Sequence, residues 1–281
     1  MNALAAPADL SRLADFAQRH PGLLLLTGAG VSTASGIPDY RDRDGVRRGR
    51  APIQGPDFIA QEAVRKRYWA RSMVGWPRLA QAQPNAAHRA IAELEARGWI
   101  SAVVTQNVDG LHGRAGSRRL TELHGNIHWI GCSACGSRFE RARMQVWLEQ
   151  ANPHLAGAAA LPAPDGDAHL EPELLDDFRV PACPHCDGLL KPDVVFFGDG
   201  VPAIRAEQAR LAMEAADALL VAGSSLMVLS SFRLCRMAAE QGKPIVAVNF
   251  GKTRADDLLN FKVDAPAEQA LPWLAGQLGK R

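Results

Sequence analysis

Four of the five cysteines fall in two C-x-x-C pairs, Cys132 with Cys135 and Cys183 with Cys186. This is the two-knuckle spacing of a tetrahedral four-thiolate zinc site, with a longer interval between the pairs than the commonest zinc ribbons have. Four thiolates complete the coordination sphere and leave no position for an activated water, so the predicted zinc is structural. His185 sits between two ligands and reads as a surface residue, because Cys186 already completes its pair. Cys235 stands at helical spacing in Phe232–Met237 and reads as a core thiol. The second stretch that could do chemistry is Gly28-Ala29-Gly30-Val31-Ser32-Thr33. Glycines behind a strand let the backbone approach a pyrophosphate, and a following helix offers its amide dipole. The pattern is partial: Thr33 holds the third glycine position, and Arg47-Arg48-Gly49-Arg50 occupies the region, about 20 residues on, where an acidic ribose ligand is due. A tight turn accounts for the glycines nearly as well. The arginine run itself, with Arg43, reads as a solvated loop.

These groups need a frame. Leu10, Leu13, Ala14, Phe16 and Ala17 mark the apolar side of a helix near the start of the chain, ended by His20-Pro21-Gly22. Leu23–Leu26 follows as a continuous apolar run between Gly22 and Gly28, the pattern of a buried parallel strand. Ile100–Val104, Ala218–Val221 and Ile245–Val248 look alike, and helix-like segments precede them at Ala86–Arg97, Arg205–Ala216 and Ser231–Gln241. Such alternation predicts an α/β fold with a Rossmann-like parallel sheet. Ligands gather at the carboxyl ends of these strands. The residues there, Thr27–Gly30, Thr105–Asp109, Gly223–Ser225 and Asn249–Gly251, are mostly small or polar, which predicts a shared crevice.

Between His124 and Lys191 the pattern changes to the paired cysteines and a Pro/Ala/Gly-rich segment, Asn152–Asp167, without periodicity. It reads as a small inserted module whose core is too thin to fold without its metal. The expected division is a sheet domain over residues 1–123 and 191–281, with a zinc-binding small domain over 124–190 that includes a loop at 149–182.

Beyond the glycines the pattern becomes specific. Gly28-Ala29-Gly30-Val31-Ser32-x-x-Ser35-Gly36-Ile37-Pro38-Asp39-Tyr40-Arg41 closely resembles the signature of the sirtuins, the NAD-dependent protein lysine deacylases. Thr105-Gln106-Asn107-Val108-Asp109-Gly110-Leu111-His112 resembles their second motif, and Glu122-Leu123-His124-Gly125 the motif of their catalytic histidine. The four-cysteine module, Lys191–Asp199 and Gly223-Ser224-Ser225-Leu226 then follow in the family's order, so the resemblance runs roughly from Gly22 to Leu274. Arg50–Gln54 with Arg67–Arg71 is most similar to the class II branch, the sirtuin-four type.

The resemblance implies roles. In the family, NAD lies between the large domain and the zinc module, and loss of nicotinamide leaves an oxocarbenium-like ribose that the acyl oxygen attacks. A base then activates a ribose hydroxyl so that the first adduct can rearrange, and His124 matches that base. Gln106, Asn107, Val108 and Asp109 match the pocket for nicotinamide and its ribose; Gly28, Ala29, Gly30 and Ser32 match the pyrophosphate side. Ile37, Pro38, Asp39, Tyr40 and Arg41 match the segment that covers the cofactor. Gly223, Ser224 and Ser225, Asn249, Phe250 and Gly251, and Ala267 match adenosine-side positions. Val194, Val195, Phe196 and Phe197 match the segment that pairs with the substrate backbone, a mode that tolerates many side chains. Tyr68 and Arg71 have the Y-x-x-R spacing by which one branch reads an acyl carboxylate, which implies a preference for acidic or branched acyl groups; the alternative is that both pack on a helix. His112 and His128 read as packed or hydrogen-bonded histidines.

Composition bounds these readings. The chain has 281 residues, 22% of them charged, and a formal net charge of +2. A dedicated nucleic-acid binder would show a larger basic excess, so no nucleic-acid partner is expected. No apolar stretch of about 18 residues is present to span a bilayer, and Asp9, Arg12, Asp15 and Arg19 break up any leader-like run. A reducing cytoplasm, a monomer and acylated lysine side chains of proteins as partners are the expectations. Mono-ADP-ribosyl transfer to protein uses the same cofactor cleavage and stays open. A catalytically silent binding module would predict erosion at Asn107, Asp109 or His124, and all three are intact.

Overall fold

Leu10, Leu13, Ala14, Phe16 and Ala17 recur at helical spacing, and helix α1 (Pro7–Arg19) buries all five against the main sheet. The computed structural model describes residues 7–47, 51–157 and 177–281. Arg48, Gly49 and Arg50, and the 158–176 part of the predicted loop, lie outside the described residues.

The chain continues through β1 (Leu23–Thr27), α2 (Gly55–Ala60), α3 (Glu62–Gln81), α4 (Ala86–Ala96), β2 (Ile100–Thr105), α5 (Leu111–Ala115) and β3 (Leu120–Glu122). An antiparallel sheet of β4 (Gly125–Cys132), β5 (Arg138–Glu140) and β6 (Leu190–Val194) encloses α6 (Arg141–Ala151) in sequence. The chain returns through α7 (Ala203–Ala215), β7 (Ala218–Ala222), α8 (Leu229–Glu240), β8 (Ile245–Val248), β9 (Phe261–Val263) and α9 (Ala267–Gln277).

The six-stranded sheet has the order β3-β2-β1-β7-β8-β9, parallel throughout. Numbered along the chain within that sheet, this is 3-2-1-4-5-6, the dinucleotide-binding order whose direction reverses between β1 and β7. Alternation inside β1 explains its unbroken apolar run: Leu23 and Leu25 pack with α1, α4 and α9 on one face, Leu24 and Leu26 with α7 and α8 on the other. With every strand parallel, all carboxyl ends lie along one edge. The glycine turn, the second motif, the histidine motif, the serine motif and Asn249 follow these ends, whereas Tyr68 and Arg71 lie in α3 and residues 194–197 continue from β6 of the small sheet.

The small sheet shares its core with the preceding helices. Phe58 of α2 and Val64, Trp69, Ala70 and Met73 of α3 pack with Ile130, Phe139, Met144, Leu148, Phe178 and Leu190. Arg141 of α6 is fully buried there; its Nη2 donates to the Ser72 carbonyl and hydroxyl at 3.0 and 3.1 Å, and its guanidinium lies 4.8 Å from the Trp76 ring centroid. The apolar material that the inserted module lacks comes from residues 58–73.

Candidate active site

The glycine turn comes first. Gly28 N–H donates to Ala222 O at 3.2 Å and Gly30 N–H to Gly223 O at 2.9 Å, so these amides tie the β1 loop to the β7 loop. A Cβ at Gly30 would lie 2.9 Å from Gly223 Cα, and one at Gly28 would lie 2.8 Å from Ser224 Cβ. The glycines are needed first for this close approach at the switch point. Of the two readings of the glycines, the structure builds the tight turn: Ala29–Val31 and Thr33–Ser35 are single 3-10 turns, and no α-helix directly follows them to supply a dipole. Arg41 Nη1 donates to Gly45 O at 2.8 Å in a hairpin that pairs Arg41 with Arg47, and Ile37 is buried beside Ala82 and Leu111. Pro38, Asp39 and Tyr40 are half-buried between them.

The structure joins Ser32 to the second motif. Ser32 Oγ donates to Asp109 Oδ2 at 2.7 Å and accepts from Asn107 Nδ2 at 3.0 Å; the same amide donates to Gly28 O at 3.1 Å. Asp109 Oδ1 accepts from Leu111 N–H at 2.9 Å, and Asp109 O accepts from His128 Nε2–H at 2.9 Å. Gln106 Nε2 crosses the switch point to donate to Ser224 Oγ at 2.7 Å. Leu226, after Gly223, Ser224 and Ser225, holds a left-handed φ of 57°, a conformation that costs a branched side chain energy and is kept here by the Leu226 N–H bond to Ser224 Oγ. Val108 packs beside Trp76, Leu79 and Ile127.

His124 follows β3. Its Nδ1 lies 3.1 Å from Gln106 O and its Nε2 lies 2.7 Å from Ser230 Oγ. A carbonyl only accepts, so Nδ1 carries the ring proton and Nε2 is the lone pair, accepting from the serine hydroxyl. Burial pushes the His124 pKa below its ordinary value; the Gln106 bond opposes this, and the Arg205 charge adds to it. The ring is therefore neutral at pH 7. Gly125 keeps a φ of 90°, and a Cβ there would collide with Asp193 O, so only glycine lets the histidine motif meet β6. Val195 N–H donates to His124 O at 2.8 Å, Val194 pairs with Gly125, and Phe197 O accepts from Gly55 N–H at 2.8 Å.

The remaining predicted residues are spread around this centre. Asn249 is buried after β8 and donates through Nδ2 to Phe250 O at 2.9 Å, while Gly251 N–H donates to Asp264 Oδ1 at 3.1 Å. Ala267 opens α9 and is buried in the same core cluster as Val31. Tyr68 sits in an aromatic cluster, its ring 5.2 Å from Phe196 and 5.5 Å from Phe58; Arg71 is buried one turn further along α3.

The four cysteine Sγ atoms lie within 4.8 Å of one another, with Cys132 and Cys186 3.6 Å apart and Cys135 and Cys183 3.8 Å apart. These separations are far beyond a disulfide bond and match the ~3.8 Å edge of a tetrahedron with ~2.3 Å zinc–sulfur bonds. The donor set fits a structural zinc ion. His185 lies outside it, exposed, with Nδ1 3.1 Å from Ser137 Oγ, and Cys235 is a buried core thiol whose pKa burial raises to about 12.

Ser230, His88 and Asn85 escaped the sequence reading, whereas His112 is packed and hydrogen-bonded as expected. Ser230 lies beyond the last serine motif and carries no signal except its position soon after Leu226. His88 and His112 form a buried pair behind the second motif, ring centroids 4.8 Å apart, with His112 Nε2 2.9 Å from Thr27 Oγ1. Asn85 caps α4 ahead of His88 and donates to Val31 O at 2.8 Å, and a Pro-Asn pair before an apolar helix was its signal.

Known proteins are similar to this chain over most of its length. Over 256 residues the chain is 55% identical to NAD-dependent protein deacetylase 3 of Pseudomonas syringae pv. tomato, covering 91% of each protein. It is 53% identical over 271 residues to the NAD-dependent protein deacetylase of Xanthomonas axonopodis pv. citri, covering 96% of this chain and 92% of that one. Among solved structures, one described under "Structural Basis for the Mechanism and Regulation of Sir2 Enzymes" aligns with a TM-score of 0.76 at 30% identity, covering 97% of this chain and 98% of the other. A "Sir2-p53 peptide-NAD+" structure aligns with a TM-score of 0.71 at 29% identity, covering 93% and 95%. The profile of the Sir2 family matches residues 28–230, from the glycine turn to the serine on His124, and the chain belongs to that family.

Proposed function

We propose that this protein is an NAD-dependent protein lysine deacylase, which moves the acyl group of a modified lysine onto ADP-ribose and releases nicotinamide and O-acyl-ADP-ribose. Family membership and the relatives' names support the reaction class. The observation that carries it in this chain is the state of His124: neutral, with Nδ1–H anchored on Gln106 O and Nε2 left as the proton acceptor. That is the form a general base needs.

NAD is consumed as a co-substrate and supplies the electrophilic ribose carbon once nicotinamide leaves, so the chain needs no side-chain nucleophile. Asn107 and Asp109, locked together by Ser32, form a rigid wall for nicotinamide and its ribose, and binding energy elsewhere on the dinucleotide offsets the strain of that pocket. The loops from Gly28 to Ser32, Gly223 to Ser225 and Asn249 to Gly251 receive the rest, along the carboxyl edge of one sheet. Residues 194–197 lie against the His124 backbone, where an added peptide strand brings its acylated lysine to the base. Residues 1–123 and 191–281 make up the NAD-binding domain; 124–190 make up the zinc-binding domain, to which α2 and α3 lend their apolar side. Cys132, Cys135, Cys183 and Cys186 hold the zinc, which stabilises that domain and takes no part in the chemistry. Tyr68, in contact with Phe196, and Arg71 select the acyl chain.

The test is nicotinamide release from NAD with a panel of acylated lysine peptides, run beside His124→Ala. Peptide-dependent release with O-acyl-ADP-ribose as product, lost in the variant, is the expected result. Label from NAD left on protein in place of that product would instead indicate ADP-ribosyl transfer.

A further inference from the structure

The lone pair of His124 is already taken. Nδ1 carries the ring proton because its partner is a main-chain carbonyl, and Nε2, the acceptor, holds the Ser230 hydroxyl at 2.7 Å. Ser230 is the second residue of α8 and is half-buried. Its neighbour Ser231 follows the ordinary behaviour of a serine at a helix start, donating to Val228 O at 2.9 Å within its own turn. Ser230 instead reaches across to a different element. The contact joins the start of α8 to the histidine that follows β3, two segments 106 residues apart in the chain.

A serine hydroxyl has one proton to donate and two lone pairs to accept with. With the proton committed to His124, both lone pairs of Ser230 are oriented away from the ring. From this we infer that Ser230 is a proton relay between the substrate and His124, an inference that rests on the deacylase reading above. The substrate's ribose hydroxyl donates its proton to Ser230 Oγ while the Ser230 proton passes to His124 Nε2. The ribose O–H bond breaks and its electron pair stays on that oxygen, which becomes the nucleophile within the adduct. An N–H bond forms at Nε2, Ser230 ends as it began, and the positive charge rests on the imidazolium. No external reductant, oxidant or metal enters the balance. Without the serine, the ribose hydroxyl must reach Nε2 directly.

The relay separates two steps of one reaction. Nicotinamide departure precedes the proton transfer, so exchange of labelled nicotinamide into NAD, in the presence of an acetyl-lysine peptide, reads the enzyme before Ser230 acts. In Ser230→Ala we expect exchange within about twofold of wild type and deacylation slower by about 100-fold, the lower end of the range for a positioned proton-transfer group. Ser230→Thr, which keeps the hydroxyl, restores most of the deacylation. A proton inventory in mixed light and heavy water is curved for wild-type deacylation, with two protons in flight, and linear for Ser230→Ala.

A further readout needs no substrate. In the free full-length protein, the ¹⁵N resonance of His124 Nε2 is that of a hydrogen-bonded acceptor, and in Ser230→Ala it moves to that of an unbonded ring nitrogen while Nδ1 stays protonated. Deacylation by Ser230→Ala at the wild-type rate, or an unmoved Nε2 resonance, overturns the relay. A folded wild-type protein with no peptide-dependent nicotinamide exchange overturns the deacylase reading instead, so the two failures are distinct.

Discussion

At the scale of single residues, the chemistry depends on keeping polar side chains dry but fully bonded. As the proposed base, His124 must be neutral, and burial favours that form by lowering its pKa. Because the base works unprotonated, a lowered value extends activity toward acid: the acid limb of kcat/KM lies below the ordinary histidine value of about 6.5, and a limb above it would contradict the geometry. Ser32 shows the reverse side of dryness. Ser32→Ala strips Asp109 Oδ2 and Asn107 Nδ2 of a buried partner. The expected cost is about 1–3 kcal/mol in urea unfolding, with a raised KM for NAD, and unchanged values for both would sever Ser32 from the site. If Arg71 reads an acyl carboxylate, Arg71→Ala loses about 10- to 100-fold in glutaryl-lysine turnover relative to acetyl-lysine, matching one charge-assisted hydrogen bond. An unchanged ratio would assign it to packing. The motif residues were legible in the sequence because their types and order are distinctive. Ser230 was not, since a serine at a helix start has no type-specific signal, and only the fold brings it to His124.

At the scale of elements, the four central strands were readable because each is a short apolar run buried on both faces. The edge strands β3 and β9, three residues each, were not, because so short a segment shows no periodicity and is defined by its ladder partner. Behind the glycines the chain turns in 3-10 steps rather than a helix: the Gly28 and Gly30 amides bond to Ala222 and Gly223, while the Val31 and Ser32 amides close the turn locally. The packing of α4 against α5 creates a further property. His88 and His112, from those two helices, are both buried; burial lowers their pKa values to about 4 and about 3, with the mutual His88 effect adding to the second. In the unfolded chain both titrate near 6.5. Between about pH 6.5 and pH 4 the unfolded state therefore binds protons that the folded state refuses, and stability falls as pH falls, by about 1.4 kcal/mol per pH unit for each histidine. Thermal unfolding at pH 7, 6 and 5 should show this acid slope, and His112→Gln, which can still donate to Thr27, should make it shallower. Equal slopes in the two proteins would mean that the pair is hydrated or charged in the fold.

At the scale of the whole molecule, two kinds of core meet at the site. The parallel sheet is packed on both faces by helices from its own chain segments, whereas the zinc module borrows α2 and α3 to fill its interior. The sequence marked the module by its cysteines, but the borrowing was invisible there, because an amphipathic helix does not declare which neighbour its apolar side will meet. Metal and borrowed core act on the same body: Cys132 and Cys183 are themselves buried members of the cluster that contains Trp69 and Phe58. Removing zinc by a strong chelator should therefore loosen β4, β5, β6, α6 and the packed faces of α2 and α3 together, while the large sheet keeps its packing. Tryptophan fluorescence can follow this, because four of the six tryptophans, Trp69, Trp76, Trp129 and Trp147, lie in α3, β4 and α6, and the other two, Trp99 and Trp273, pack against the main sheet core. The expected outcome is a red-shifted emission and a melting transition lower by at least about 5 °C, with most of the far-ultraviolet circular dichroism retained and the loss reversed by added zinc. Deacylation should fall in parallel, because the 194–197 segment is held between β4, the His124 backbone and the Tyr68 cluster. A chelated, demonstrably zinc-free protein with unchanged melting temperature and emission would show that the four cysteines do not hold this half of the cleft together.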